Sequence, residues 1–235
     1  MSATSHWRAG GLTELLSHGV RRPQATMVAV TIDTTSGAGP PAFDWWCRTA
    51  SGARVDGAMI IHHRDDVALA GTTAAAVPSL AGTVEADELA SFADASAEVS
   101  GVVQVRVVRC AGGTLDFYYR VTELSGGELW TVAWNLCGPM VSTDVDFRLD
   151  GLGEVGPARV HRQDFGSDPT VTHTTSLQFY FGGTLGSGGS SRFVYVKTDA
   201  TAYDRIRSLA LLGPVTPAGT NTWEGLVDAF VPPAG

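Results

Sequence analysis

The stretch IHHRDD, residues 61–66, places two histidines and two aspartates within six residues. Imidazole nitrogens and carboxylate oxygens are the ligands of zinc and related cations, and a catalytic zinc needs three such groups converging on an open fourth position. Adjacent His62 and His63 on a strand point to opposite faces, so one ion could reach both only in a loop. Spacing marks no further ligand. The plain reading is a solvated strand end; the sharper alternative is a metal-dependent enzyme acting through His62 and His63.

Carboxylates offer a second chemistry. Asp144 and Asp146 in STDVDFRL alternate and share one strand face, which could seat an ion at a sheet edge. Calcium takes six to eight oxygens, so the metal candidates are Asp144, Asp146, His62 and His63, with calcium the cofactor to consider. The spacing of Asp144, Asp146 and Asp150 is not that of an EF-hand, whose central Gly and twelfth-position ligand are missing. Exposed strand carboxylates are the default. DFGSD (164–168) reads as an acidic loop; its DFG stands without a Gly-rich phosphate loop or an HRD segment before it. No serine occupies a GxSxG elbow, and no Asp is tied by sequence to His173 and Ser176. No nucleophile–base or carboxylate pair is assembled by spacing, so the expectation is no catalysis.

Sugar-binding sandwiches present rows of exposed aromatics. Trp130 and Trp134 are four residues apart, which places both on one strand face if the strand is regular. With Trp45 they are the candidate ligand-binding residues; the ordinary alternative is that such a face is core.

The elements that would position these groups are strands. VVQVRVVRC (102–110) alternates, AGG (111–113) turns, and TLDFYYRVTEL (114–124) returns, a hairpin pattern. Further strands read at GAMIIHH (57–63), ELWTVAWNL (128–136), STDVDFRL (142–149), HTTSLQFYFGG (173–183), RFVYVK (192–197) and TWEGLVDAFV (222–231). IRSLALLG (206–213) is a short strand or a turn of helix. EADELASFADASAE (85–98) reads as a short helix or a solvated loop. In RFVYVK, Val194 and Val196 share one face and Phe193, Tyr195 and Lys197 the other. Lys197 seeks water, so the valines are expected to point inward.

Strands at this spacing without helices between them mean antiparallel pairing. The expected fold is an all-β antiparallel β-sandwich, jelly-roll-like or Ig-like. Residues 1–26 read as a loosely structured arm, 27–66 as N-terminal strands or an embellishment of the same sandwich, and 67–235 as the sandwich domain. The 235 residues are 44% hydrophobic and only 17% charged, with 28 glycines, which suits short strands and tight turns. A net charge of -8 with no cationic cluster argues against nucleic acid as a partner. No run approaches the ~20 apolar residues of a membrane helix. Cys47, Cys110 and Cys137 form no CxxC pair; three free thiols are the simplest reading, and a Cys110–Cys137 disulfide is the alternative.

In order and spacing, AGT (70–72), LAGTV (80–84), GVVQVRVVR (101–109), GGTLDFYYRVTEL (112–124), STDVDF (142–147), LQFYF (177–181) and GSSRFVYVKTDATAY (189–203) resemble the exported β-rich domains of bacterial PEP-CTERM sorting-type proteins. The resemblance covers about residues 70–230. It implies export, a β-sandwich-like domain, association with the cell envelope and the extracellular polysaccharide matrix, and no known activity. Members ordinarily begin with a signal peptide and end with a Pro-Glu-Pro motif, a membrane helix and a basic tail. The first residues here hold no apolar h-region, and VPPAG closes the sequence about where the sorting segment would start. The expected role is a non-enzymatic extracellular or envelope protein whose partners are polysaccharide or other envelope proteins. A carbohydrate-binding module is the second reading.

Overall fold

The computed structural model describes residues 60–137, 142–166 and 174–233. The arm at 1–26, the segment 27–59, Trp45, Cys47 and His173 lie outside the described residues. Among the described residues, eleven strands form two sheets. They are β1 (Ile60–Ala68), β2 (Gly82–Asp94), β3 (Val99–Cys110), β4 (Leu115–Ser125), β5 (Leu129–Cys137), β6 (Ser142–Phe147), β7 (Arg159–Gly166), β8 (Thr174–Leu185), β9 (Val194–Thr198), β10 (Asp204–Leu212) and β11 (Glu224–Val231). The six-stranded sheet runs β1-β7-β8-β5-β10-β11 and the five-stranded sheet β2-β3-β4-β9-β6. Every pairing between named strands is antiparallel. The fold is an antiparallel β-sandwich.

Period-two alternation builds the core between the sheets. Val103, Val105 and Val107 on β3, and Leu115, Phe117 and Tyr119 on β4, all turn inward. They meet Val132 and Trp134 of β5 and Leu177 and Phe179 of β8. Trp134, fully enclosed, packs its ring 5.5 Å from both Phe117 and Tyr119. The 102–110/114–124 hairpin forms as read, with Val105 opposite Tyr119. The strand read over RFVYVK is Val194–Thr198, with its faces as read: Val194 and Val196 lie in the core, and Phe193 and Tyr195 pack in the small cluster on the other face.

Two elements differ from the sequence reading. EADELASFADASAE holds no helix: residues 82–94 are an edge strand paired with β3 along its whole length, and residues 95–98 turn into β3. Its Ala and Glu content favours helix, but Ala86, Ala90 and Phe92 pack on the core at strand spacing while Asp87 reaches out to Arg106. Cross-strand pairing on a half-buried face outweighs the modest propensity difference. Residues 164–166 close strand β7 and are no acidic loop; Asp164 is buried and accepts the hydroxyl of Thr175 at 2.9 Å. IRSLALLG forms strand β10, the first of the two alternatives read from the sequence. Residues 60–66 belong to β1, an edge of the six-stranded sheet, so the chain up to Asp66 shares the sandwich at least from Ile60.

Residues 69–81 connect the two sheets. This segment leaves β1, pairs Thr72 with Arg148 at the end of β6 in a parallel bridge, and packs Leu80 on the outer face of the five-stranded sheet before entering β2. It contains a short 3-10 turn at Pro78–Leu80. Leu80, only 2% exposed, packs with Val108, Tyr118, Phe193 and Tyr195 in a second small core. This explains why Leu115–Tyr119 is buried without a break: one face meets the other sheet and the other meets the strap.

Candidate functional site

The polar residues beneath and beside this strap form a cluster of ionisable groups. β9 lies between β4 and β6, and Lys197 stands directly opposite Asp116 on one side and Asp144 on the other. Its ammonium donates to Asp116 Oδ2 at 3.1 Å and to the carbonyl oxygen of Ser79, in the strap, at 3.2 Å. Asp116 is 1% exposed, and its other oxygen, Oδ1, has no N–H or O–H donor. Burial raises the pKa of Asp116 above the ordinary carboxyl value, against the pull of Lys197. Asp144 is raised by burial and then by the neighbouring Asp146.

Asp146 is buried and fastens the strap. Its Oδ1 accepts the backbone N–H of Gly71 at 3.0 Å and that of Phe147 at 2.8 Å. Gly71 sits at φ +74, and a Cβ there would come within 2.5 Å of the Phe147 ring, so this anchor requires glycine. Asp150 holds the next turn of the strap, accepting the N–H of Ala74 at 2.7 Å, and is itself paired with Arg148 at 2.7 Å. The hydrogen bond from Arg148 lowers its pKa to about 2. The acidic run thus supplies latches: Asp146 and Asp150 each spend carboxylate oxygens on backbone N–H groups of residues 71–74. Among the described residues, no three His, Cys, Asp or Glu side chains converge where an ion could sit.

The remaining candidates separate. His62 and His63 fall on β1, with His63 opposite Asp164 in register and a bulge between Ile61 and His63; their side chains lie outside the described residues. Asp66 faces outward on the six-stranded sheet, 3.7 Å from both Arg159 and His161. Cys110 is a free thiol, so no Cys110–Cys137 disulfide forms; burial pushes its pKa up to about 11 and keeps it protonated.

Trp130 and Trp134 do not share a face. A bulge between Leu129 and Thr131 turns Leu129 into the core and shifts Trp130 to the outside, while Trp134 is completely buried. Trp134 is core and cannot contact a sugar. The partner that spacing missed is Tyr180 on β8, whose ring meets Trp130 edge-on with centroids 5.9 Å apart. Arg159 lies over the Tyr180 ring at 4.5 Å. Tyr180 was hidden because it is close to Trp130 only through the β5–β8 pairing.

Comparisons with protein-family models, curated proteins and solved structures found no match to the chain.

Proposed function

We propose that the chain is a non-enzymatic β-sandwich of the bacterial cell envelope or extracellular matrix. One observation carries the reading. The two most distinctive segments of the PEP-CTERM-type resemblance, GGTLDFYYRVTEL and GSSRFVYVKTDATAY, become neighbouring strands: Phe117 faces Val196 and Tyr118 faces Tyr195. Their residues fill the core and the covered outer layer. The shared pattern is therefore a packing pattern, and the role it supports is that of a built scaffold rather than a reaction centre. Protease treatment of intact producing cells tests this. The chain should be lost while a cytosolic marker persists; protection equal to that marker would oppose an outer location.

A second reading has its own observation. Trp130, Tyr180 and Arg159 form a half-exposed aromatic and cationic patch on the outer face of the six-stranded sheet, with Gln178 and Gln163 beside it, linked by a hydrogen bond of 3.2 Å. Aromatic rings flanked by amide and guanidinium groups suit a polysaccharide chain, with the rings meeting its apolar faces and the polar groups its hydroxyls. A glycan array should show binding that Trp130→Ala abolishes; wild-type binding unchanged by that variant would remove the patch from the account.

A further inference from the structure

We propose that Lys197 and Asp116 condense into an intramolecular isopeptide bond that staples β4 to β9. Lys197 is the only lysine among 235 residues, so the single amine side chain of the chain stands against a carboxyl that is 1% exposed. The amine nitrogen lies 3.1 Å from Asp116 Oδ2, and the two residues are directly opposed across neighbouring strands. Reacting groups held this way gain effective molarities up to ~10⁵–10⁸ M, which favours a condensation that dilute water would oppose. Tyr118, Tyr195 and the strap residue Leu80 pack together on the same face of the sheet, and Asp116 Oδ1 finds no N–H or O–H donor. A part-buried ion pair left as such bears the desolvation of the enclosed carboxylate and part of that of the ammonium. An amide removes both.

The step balances without any co-reactant. The ammonium of Lys197 passes one proton to the Asp116 carboxylate, leaving a neutral amine beside a neutral acid. Burial favours the neutral acid, because it raises the proton affinity of Asp116. The amine nitrogen attacks Cγ, forming the C–N bond and a tetrahedral carbon. Asp144, opposite Lys197 on the other flank, takes a proton from that nitrogen and returns it to one hydroxyl. The C–O bond breaks and one water leaves; Asp144 ends as it began. The product closes a loop from residue 116 to residue 197 that holds β5 to β8 between its ends.

The full chain, purified and unfolded in denaturant, gives the test. Its mass should be lower than the sequence mass by one water. A lysine-specific endoproteinase should leave it uncut, since its only cleavage point is Lys197 and an amidated lysine is not recognised. Asp116→Ala should restore both the sequence mass and a single cut, and Asp144→Asn should lower the uncut fraction severalfold. Sequence mass with complete cleavage of the wild-type chain would overturn the proposal. Loss of one water with complete cleavage would overturn it too, because that pattern marks a succinimide, for instance at Asp150–Gly151. Wild-type cross-linking in Asp144→Asn would overturn the role given to Asp144.

Discussion

Tyr119 on β4 donates its hydroxyl hydrogen to the carbonyl oxygen of Phe230 on β11, a bond that ties the five-stranded sheet to the six-stranded one through the buried interior. Removing the hydroxyl leaves a buried carbonyl without its donor. Tyr119→Phe should therefore destabilise the sandwich by about 1–3 kcal/mol with little change in packing. Denaturant unfolding with an unchanged slope and a lower midpoint would show this; an unchanged midpoint would mean that the bond contributes nothing.

Trp134 and Trp130 should respond very differently to truncation. Trp134→Ala empties a large enclosed volume between Phe117 and Tyr119 and should cost about 3–5 kcal/mol. Trp130→Ala removes a half-exposed ring from the surface of Tyr180 and should cost about 1 kcal/mol. Thermal melts of the two variants check the assignment of faces; equal losses would contradict the bulge at residues 129–131.

The opposed shifts of Asp144 and Asp146 on one side and Asp150 on the other should give stability an optimum in mild acid. Asp144 and Asp146 have pKa values raised by burial, so the folded chain takes up their protons before the unfolded chain does. Stability therefore rises as pH falls from neutrality through their folded values toward the ordinary carboxyl value of about 4. Asp150, held down to about 2 by the hydrogen bond from Arg148, acts in the opposite sense. Its contribution is complete above about 4 and is lost between about 4 and 2. Melting temperature against pH should show this maximum. Asp144→Asn should flatten the rise, and Asp150→Asn should reduce the fall. A steady decline from neutrality downward would contradict the burial of Asp144 and Asp146.

Strands whose alternation is written in strong β-formers were legible in the sequence, as at Val103, Val105 and Val107 or Val194 and Val196. β2 was not, because its inward face is mostly small: Ala86 and Ala90 look like helix formers, and only the partner strand makes them a core edge. Trp130 misled because a single bulge breaks the parity that spacing assumes. The acidic residues were found as types, but their use was hidden. Asp146 meets Gly71 across 75 positions and Lys197 meets Asp116 across 81, distances closed only by the path of the strap and the order β4-β9-β6. At the end of β9, buried Thr198 donates its hydroxyl hydrogen to the Leu115 carbonyl at 2.7 Å, a contact across 83 positions, and accepts from the Ala200 N–H, while the adjacent Asp199 is exposed.

β9 is the strand on which these relationships meet, with its valines in the sandwich core and Lys197 under the strap, and the stop that follows it is structural. Thermal melts of Val196→Asp and Asp199→Ala, measured side by side, test this most directly. Val196 is fully buried, so the aspartate would place an unpaired charge among core residues at a cost of at least several kcal/mol. The variant should be unfolded or melt far below the wild type, while Asp199→Ala should stay within about 1 kcal/mol of it. A folded Val196→Asp beside an unfolded Asp199→Ala would show that β9 faces the other way and that the turn after it is more than punctuation.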